Sequence, residues 1–128
     1  MKRDEKMSSD PRRRLGLEGE AVAARWLEER GYQILQRNFR TPGGEVDIIA
    51  REGDTIVFVE VKCRRSTLYG VPQLAVTPLK QRQIARAARW WLQNERLLDQ
   101  PARFDVVAIT LREGEPSVEL IRDAFDAE

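Results

Sequence analysis

Two apolar runs joined by a short turn constrain the fold of this chain more than any other feature. Residues 45–51 and 55–63 are rich in valine and isoleucine, and Gly53-Asp54 lies between them. Glycine followed by a short polar residue suits the two-residue turn of a β-hairpin, because glycine accepts the positive φ that such turns need. We therefore predict an antiparallel hairpin, in which the register places Asp47 opposite Glu60.

The rest of the chain adds two helices and three strands to the hairpin. Apolar residues at helical spacing predict helices over Leu15–Arg30 and from Pro78 to about Leu98, the second with Thr77 as its N-cap. Further strands are expected at Tyr32–Phe39, Arg103–Leu111 and Val118–Ile121. The length of 128 residues suits a single domain. The order of elements predicts an α/β fold with a mixed central β-sheet flanked by helices.

The composition excludes several kinds of active site. The chain has no histidine and one cysteine, Cys63. Histidine bases, Ser-His-Asp triads, Cys/His zinc sites and an internal disulfide are therefore excluded. Any catalysis has to use carboxylates, lysine, arginine, hydroxyls or a metal held by oxygen ligands. Cys63 alternates with Val59 and Val61, and we interpret it as a small core residue.

Charged residues interrupt the strand that should be the most apolar. Alternation places Glu60 and Lys62 on one face of that strand, and the hairpin register adds Asp47. Two facing acids repel each other, and Lys62 can neutralise only one of them. A hard divalent cation such as Mg²⁺ could neutralise the other acid. An exposed Glu-Lys pair on a solvated face explains the same residues, and they leave both interpretations open.

A third acid, Glu20, lies in line with a helical stripe of small apolar residues. Ala23, Ala24 and Leu27 follow it at helical spacing. If that stripe packs on the sheet, we expect Glu20 to reach the same face as Glu60. Taken alone, Glu20 is explained more simply as an acid of the first helical turn, stabilised by the helix dipole.

Charge permits a nucleic-acid partner without establishing one. The 22 Lys+Arg residues nearly balance the 21 Asp+Glu residues, which gives a formal net charge of +1. Most of the bases are arginine, with a planar fork that suits phosphate. A mixed, solvated surface explains the same balance.

The two ends of the chain differ from its middle. Residues 1–14 are polar and basic, and we expect a disordered arm there, a domain over residues 15–122 and an acidic tail over residues 123–128. The basic start is followed by no apolar stretch, so we expect no secretory signal and a cytoplasmic protein.

Two further kinds of residue are interpreted as structural. The tryptophans at 26, 90 and 91 lie at helical positions, where core packing is the expected role. Asp105 lies inside a predicted strand, where we expect a salt bridge to a buried arginine.

Several segments together resemble the YraN-like family of bacterial proteins. They are Leu17–Ala21, Arg37–Arg40, Gly44–Ala50, Phe58–Lys62, Lys80 and Arg103–Asp105. That family is grouped with the restriction-endonuclease-like, or PD-(D/E)XK, nucleases, and it is similar to the archaeal Holliday junction resolvases. The chain departs from the superfamily pattern where Val46, not proline, precedes Asp47.

The resemblance implies a restriction-endonuclease-like fold and a metal-dependent nuclease site. Asp47 and Glu60 would hold Mg²⁺ or Mn²⁺ with the backbone carbonyl of Val61, and Glu20 would complete the site. Lys62 would orient the attacking water and stabilise negative charge. The implied activity is hydrolysis of phosphodiester bonds in DNA, with branched DNA as a substrate form, and a homodimer is implied by analogy.

The expected phosphate contacts are basic residues near these acids: Arg37, Arg40, Arg64, Arg65 and Lys80. Such contacts position a duplex without reading its sequence. Two other functions remain open. One is a nucleic-acid-binding module with the nuclease fold and little or no catalysis, and the other is a scaffold for which DNA is irrelevant.

Overall fold

Five strands form one sheet with a helix on each face. The computed structural model describes residues 11–64, 76–110 and 116–126, with side chains from Glu18 onward. The strands lie in chain order, and β3–β4 is the parallel pair of this mixed sheet. This confirms the predicted single α/β domain. The elements are α1 (Pro11–Glu29), β1 (Gln33–Thr41), β2 (Gly44–Glu52), β3 (Thr55–Arg64), α2 (Pro78–Asn94), β4 (Ala102–Thr110) and β5 (Ser117–Phe125).

The hairpin between β2 and β3 forms in the predicted register. Its pairs run from Glu52 with Thr55 to Ile48 with Val59, around a turn in which Gly53 has a φ of +60°. The regular ladder stops at Ile48 and Val59. Asp47 and Glu60 therefore lie just beyond the paired part of the hairpin, where the two strands separate.

The two faces of the sheet carry separate cores. α1 buries Ala23, Ala24 and Leu27 against the face that presents Val57 and Val59. α2 covers the opposite face. The core on this side combines Ile84, Ala87, Ala88 and Trp91 of the helix with sheet residues that include Ile56, Phe58, Phe104 and Val106. No helix within the described ranges is long and apolar enough to cross a membrane.

The tryptophans do not all belong to the core. Trp91 is buried and Trp26 is partly buried, as expected, but Trp90 is 53% exposed. The buried positions of α2 are Ile84, Ala87, Ala88 and Trp91. Trp90 immediately precedes Trp91 and therefore lies on a different side of the helix from this buried stripe. The prediction that Trp90 packs in the core is wrong.

Several predicted boundaries differ from the observed ones. Residues 11–14, which the sequence suggests are disordered, form the start of α1, because proline at 11 suits a first helical turn. β5 continues to Phe125, so Asp123 lies inside a strand and not in a tail. α2 ends at Asn94 instead of about Leu98, because Arg96 adopts a φ of +60° after it. Residues 1–10 and 127–128 of the predicted arm and tail lie outside the described residues.

Candidate functional site

The candidate site forms where β2 and β3 separate. Oδ2 of Asp47 accepts a hydrogen bond of 2.8 Å from the backbone N–H of Val61. The Asp47 side chain thus takes the place of a ladder bond and turns towards β3. Glu60 lies beside it with 5% of its side chain exposed, and the two carboxyl groups are in hydrogen-bond contact. The structure therefore brings the two acids together, although not as a regular cross-strand pair.

Two lysines flank Glu60. Lys62 Nζ lies 3.6 Å from Glu60 Oε2, which places both side chains on one face of β3 as expected. Lys80 Nζ, from α2, lies 3.9 Å from the same oxygen and 3.9 Å from Glu45 Oε2. Lys80 therefore links the acid pair to the start of β2.

Burial makes the acid pair hold a proton. Burial, followed by the charge of the neighbouring Asp47 carboxylate, raises the pKa of Glu60 to about 8, because Lys80 and Lys62 oppose the shift only in part. Burial also raises the pKa of Asp47, against the lowering effect of the Val61 N–H. Because Glu60 is the more strongly shifted acid, it carries the shared proton at neutral pH and donates it to Asp47.

Glu20 approaches the pair from the opposite side of the sheet. Glu60 lies on the α2 face with Phe58, whereas α1 packs on the other face, so the expectation that Glu20 reaches the face of Glu60 is wrong. The reason is that nothing in the helical periodicity of α1 specifies which face of the sheet it covers. Burial raises the pKa of Glu20, and so does the charge of Asp47. Asp47 lies where the strands separate, and its charge thus acts both on Glu60 and on Glu20.

A close approach of α1 to β3 positions Glu20. A Cβ atom at Gly19 would lie 2.8 Å from Cys63 Sγ. Only glycine fits this contact without displacement, so residue 19 brings the helix against the strand and presents the next side chain to the site. Cys63 itself packs partly buried against the α1-side core, in agreement with its interpretation as a packing residue.

The donor set fits a small hard cation. Glu60 Oε1 and Glu20 Oε1 are buried oxygens without a hydrogen-bond partner, and such groups call for a ligand. Among the residues that the structure describes, no three acids or thiols are placed so that together they could hold a metal ion. Mg²⁺ commonly takes only one or two carboxylates and fills its shell with water and phosphate oxygens. The pair of Asp47 and Glu60 matches that requirement.

Three of the expected phosphate contacts lie around the site, each paired with an acid. Arg37 Nη2 lies 3.9 Å from Glu20 Oε1, and Arg40 Nε lies 3.4 Å from Glu45 Oε1. Lys80 pairs with Glu60, as described above. At the end of β3, Arg64 Nε lies 3.5 Å from Thr110 Oγ1, and Arg65 lies outside the described residues.

Two residues at the site were not selected from the sequence. Glu45 bridges Arg40 and Lys80 on the rim. Asn38, with a φ of +56°, hydrogen-bonds to the Glu20 side chain. Period-two alternation puts Glu45 on the side of Asp47, so this signal was available. Nothing comparable in the sequence indicated that Asn38 adopts a left-handed backbone conformation.

The second buried acid of the sheet has a different character. Asp105 is fully buried and accepts hydrogen bonds from Arg103 Nε at 3.0 and 3.2 Å and from the backbone N–H of Asp123 at 2.9 Å. Arg103 also donates to Glu52 and to the Tyr32 hydroxyl. The expected salt bridge of Asp105 is confirmed. Its carboxylate is satisfied, whereas that of Glu60 is not.

The fold and the site define an α/β domain with a partly protonated carboxyl pair at an opening in its sheet. Residues 19–109 match the family described as "Uncharacterised protein family UPF0102". The chain belongs to this family, which confirms the YraN-like resemblance at the level of family membership.

Curated relatives match most of the chain. A UPF0102 protein of Geobacter sulfurreducens is 58% identical over 113 residues, which is 88% of each chain. A UPF0102 protein of Geotalea uraniireducens is 59% identical over 88% of this chain and 89% of its own. One of Geobacter metallireducens is 57% identical over 88% and 92%. These names state no activity.

Proposed function

We propose that this protein is a Mg²⁺-dependent DNA endonuclease of the restriction-endonuclease-like class, with Mn²⁺ as an alternative metal. The observation that carries the proposal is the buried carboxyl pair of Asp47 and Glu60, in which Glu60 Oε1 has no hydrogen-bond partner. Burying two carboxyl groups side by side costs stability, because one of them has to keep its proton, whereas a metal site requires both of them. Asp105, whose partners are complete, is the contrasting structural acid in the same sheet.

The residues of the site have distinct roles in this proposal. Asp47, Glu60 and the Val61 carbonyl would hold the metal, with Glu20 completing its surroundings from the α1 side. Bound Mg²⁺ supplies positive charge to the phosphate oxygens and makes the attacking water more acidic. Lys62 would orient that water and stabilise the negative charge on the phosphoryl oxygens in the transition state.

The basic residues of the rim position the DNA backbone. Lys80 contacts Glu60, whereas Arg37 and Arg40 pair with the neighbouring acids Glu20 and Glu45. Arg64 lies at the end of β3, the strand that carries Glu60. When DNA binds, its phosphates would replace the acidic partners of Arg37, Arg40 and Lys80. Because phosphate contacts release counterions from the DNA, binding should weaken with added salt. A homodimer would place two such sites for cutting two strands.

The proposal is tested by incubating the native chain with duplex, fork and junction DNA in the presence of Mg²⁺ or Mn²⁺. We expect nicking that chelation abolishes. Asp47→Asn and Glu60→Gln should lose roughly 100-fold or more in rate while they keep DNA binding, and Lys62→Met should lose a comparable amount. Glu28→Gln, which alters an exposed acid of α1, is the matched control and should cut like the native chain.

Three results separate the candidate functions. No nicking by the native chain, or nicking that Asp47→Asn leaves unchanged, contradicts the nuclease. Salt-sensitive DNA binding without nicking favours the second candidate, a binding module that retains the nuclease fold; the specific observation in its favour is the proton that Glu60 holds at neutral pH. Failure to bind DNA at all favours a scaffold.

A further inference from the structure

An exposed tryptophan lies in a groove on the outer surface of α2. Trp90 is 53% exposed. The groove has a volume of about 330 Å³, and its lining includes Pro42, Gly43, Arg86, Arg89, Trp90 and Gln93. We call these residues the Trp90 groove. A large aromatic side chain left on the surface in this way is typical of a binding site for a flat or apolar group.

The arginines of the Trp90 groove differ from those around the acid pair. α2 contains Lys80, Arg82, Arg86 and Arg89 and no acid. Arg86 and Arg89 are exposed, and no acid of residues 18–64, 76–110 or 116–126 forms an ion pair with either of them. The groove therefore offers unneutralised positive charge beside an aromatic ring, which is complementary to phosphates flanking a planar base.

The turn between β1 and β2 connects the Trp90 groove with the acid pair. A Cβ atom at Gly44 would overlap the backbone carbonyl oxygen of Gln83, so the turn between β1 and β2 rests directly on α2. The residue after Gly44, Glu45, contacts Lys80, which also contacts Glu60. Residues of this turn thus line the Trp90 groove on one side and lead into the contacts of the acid pair on the other.

We propose that the Trp90 groove binds an unstacked base of a single-stranded segment, with Arg86 and Arg89 on the adjacent phosphates. The inference rests on the proposed function and deepens it, because it defines the substrate as nucleic acid with single-stranded character beside the scissile position. Stacking on tryptophan tolerates any base, since every base has a π-face. Bases inside an intact duplex are stacked on each other and do not reach this ring.

The test measures binding of the full chain, in EDTA, to a fluorescently labelled duplex with a single-stranded tail and to a blunt duplex of equal length. We expect the native chain to prefer the tailed DNA. Trp90→Ala should weaken that binding roughly tenfold, and Trp90→Phe should weaken it much less because a stacking ring remains. Arg86→Gln and Arg89→Gln should each lower the salt slope by about 0.7.

Matched controls keep this result interpretable. Leu98→Ala removes another exposed apolar side chain and Arg25→Gln another exposed arginine, both outside the groove, and both should bind like the native chain. Because Trp90 is exposed, its variants should keep the native unfolding midpoint in urea, which shows that lost binding is not lost folding.

The outcomes separate this inference from the proposed function. Equal binding of tailed DNA by the native chain and Trp90→Ala overturns the inference, even if metal-dependent cutting is normal. A native dimer that Trp90→Ala converts to a monomer in sedimentation, without change in DNA affinity, overturns it in favour of a second copy of this chain. Trp90-dependent DNA binding without cutting under any metal supports the groove and refutes the nuclease.

Discussion

At the scale of single residues, the chain contains two buried acids of opposite character. Asp105 has an arginine and a backbone N–H as partners, and Glu60 has an oxygen with none. Burial that is compensated stabilises a fold, and burial that is not compensated is retained for chemistry. Both acids are buried to a similar extent, so the oxygen without a hydrogen-bond partner, and not burial, distinguishes Glu60 from Asp105.

The raised pKa of Glu60 predicts that the metal-free chain becomes less stable as the pH rises. Above the unfolded value of 4.5 the unfolded chain has lost this proton, while the folded chain keeps it until about pH 8. The folded state therefore binds more protons across that window, and raising the pH favours unfolding. Between pH 5.5 and 8.5, the free energy of unfolding of the native chain should fall by roughly 1–4 kcal/mol more than that of Glu60→Gln.

Urea unfolding in EDTA at the two pH values measures this difference. Glu28→Gln, which changes an exposed acid, should follow the native chain at both. Equal pH dependence in the native chain and Glu60→Gln would mean that Glu60 is not held in its protonated form.

At the scale of elements, local rules account for most of what the sequence predicted. The Gly53-Asp54 turn set the register of β2 and β3, and helical spacing identified the buried stripes of both helices. The charges of Asp47, Glu60 and Lys62 were recognisable because they interrupt an apolar strand. The sequence could not show that the pairing of β2 with β3 ends at Ile48 and Val59. A pattern of alternating residues predicts regular pairing along both strands and does not indicate where that pairing stops.

Other features of the site depend on long-range packing. The periodicity of α1 predicts which of its sides is buried but not which face of the sheet it covers, so Glu20 was placed on the wrong face. Trp90 was assigned to the core because it lies in a helix, although adjacent residues of a helix point in different directions and Trp91 belongs to the buried stripe.

The contact between α1 and β3 gives an element-scale prediction. Gly19→Ala adds a Cβ atom 2.8 Å from Cys63 Sγ, and the resulting displacement should cost about 1–3 kcal/mol, partly offset by about 1 kcal/mol of helix propensity. In a Cys63→Ala background the sulfur is absent and only the Cβ atom at 3.1 Å remains, so the same substitution should cost less. Urea unfolding of the four chains should give a coupling energy of about 1 kcal/mol or more. An identical effect of Gly19→Ala in both backgrounds would show that the helix does not rest on this residue.

At the scale of the whole molecule, the two buried acids lie on opposite faces of the sheet. Asp105 shares the α1 side with Tyr32 and its arginine network, and Glu60 lies on the α2 side with Lys80. Arg103→Met leaves Asp105 buried without its charged partner, which should cost about 3–5 kcal/mol of stability. Mn²⁺ affinity of the folded variant should stay within a few-fold of native.

Arg122→Met is the matched control for that variant. Arg122 contacts the same Tyr32 and Glu52, but it is more than half exposed and does not contact Asp105. Its removal should cost less than about 1 kcal/mol. Similar losses for the two variants in urea unfolding would contradict the view that Arg103 serves chiefly to neutralise a buried acid.

The account as a whole depends on the acid pair being a cation site, and manganese soaking of crystals tests this most directly. Crystals of the native chain are soaked in Mn²⁺ at pH 8.5, which is above the pKa of about 8 of Glu60, and the anomalous signal is measured. We predict a peak within about 2.5 Å of carboxylate oxygens of both Asp47 and Glu60, and no such peak in Asp47→Asn crystals. Native crystals without density between these two side chains would contradict the central claim.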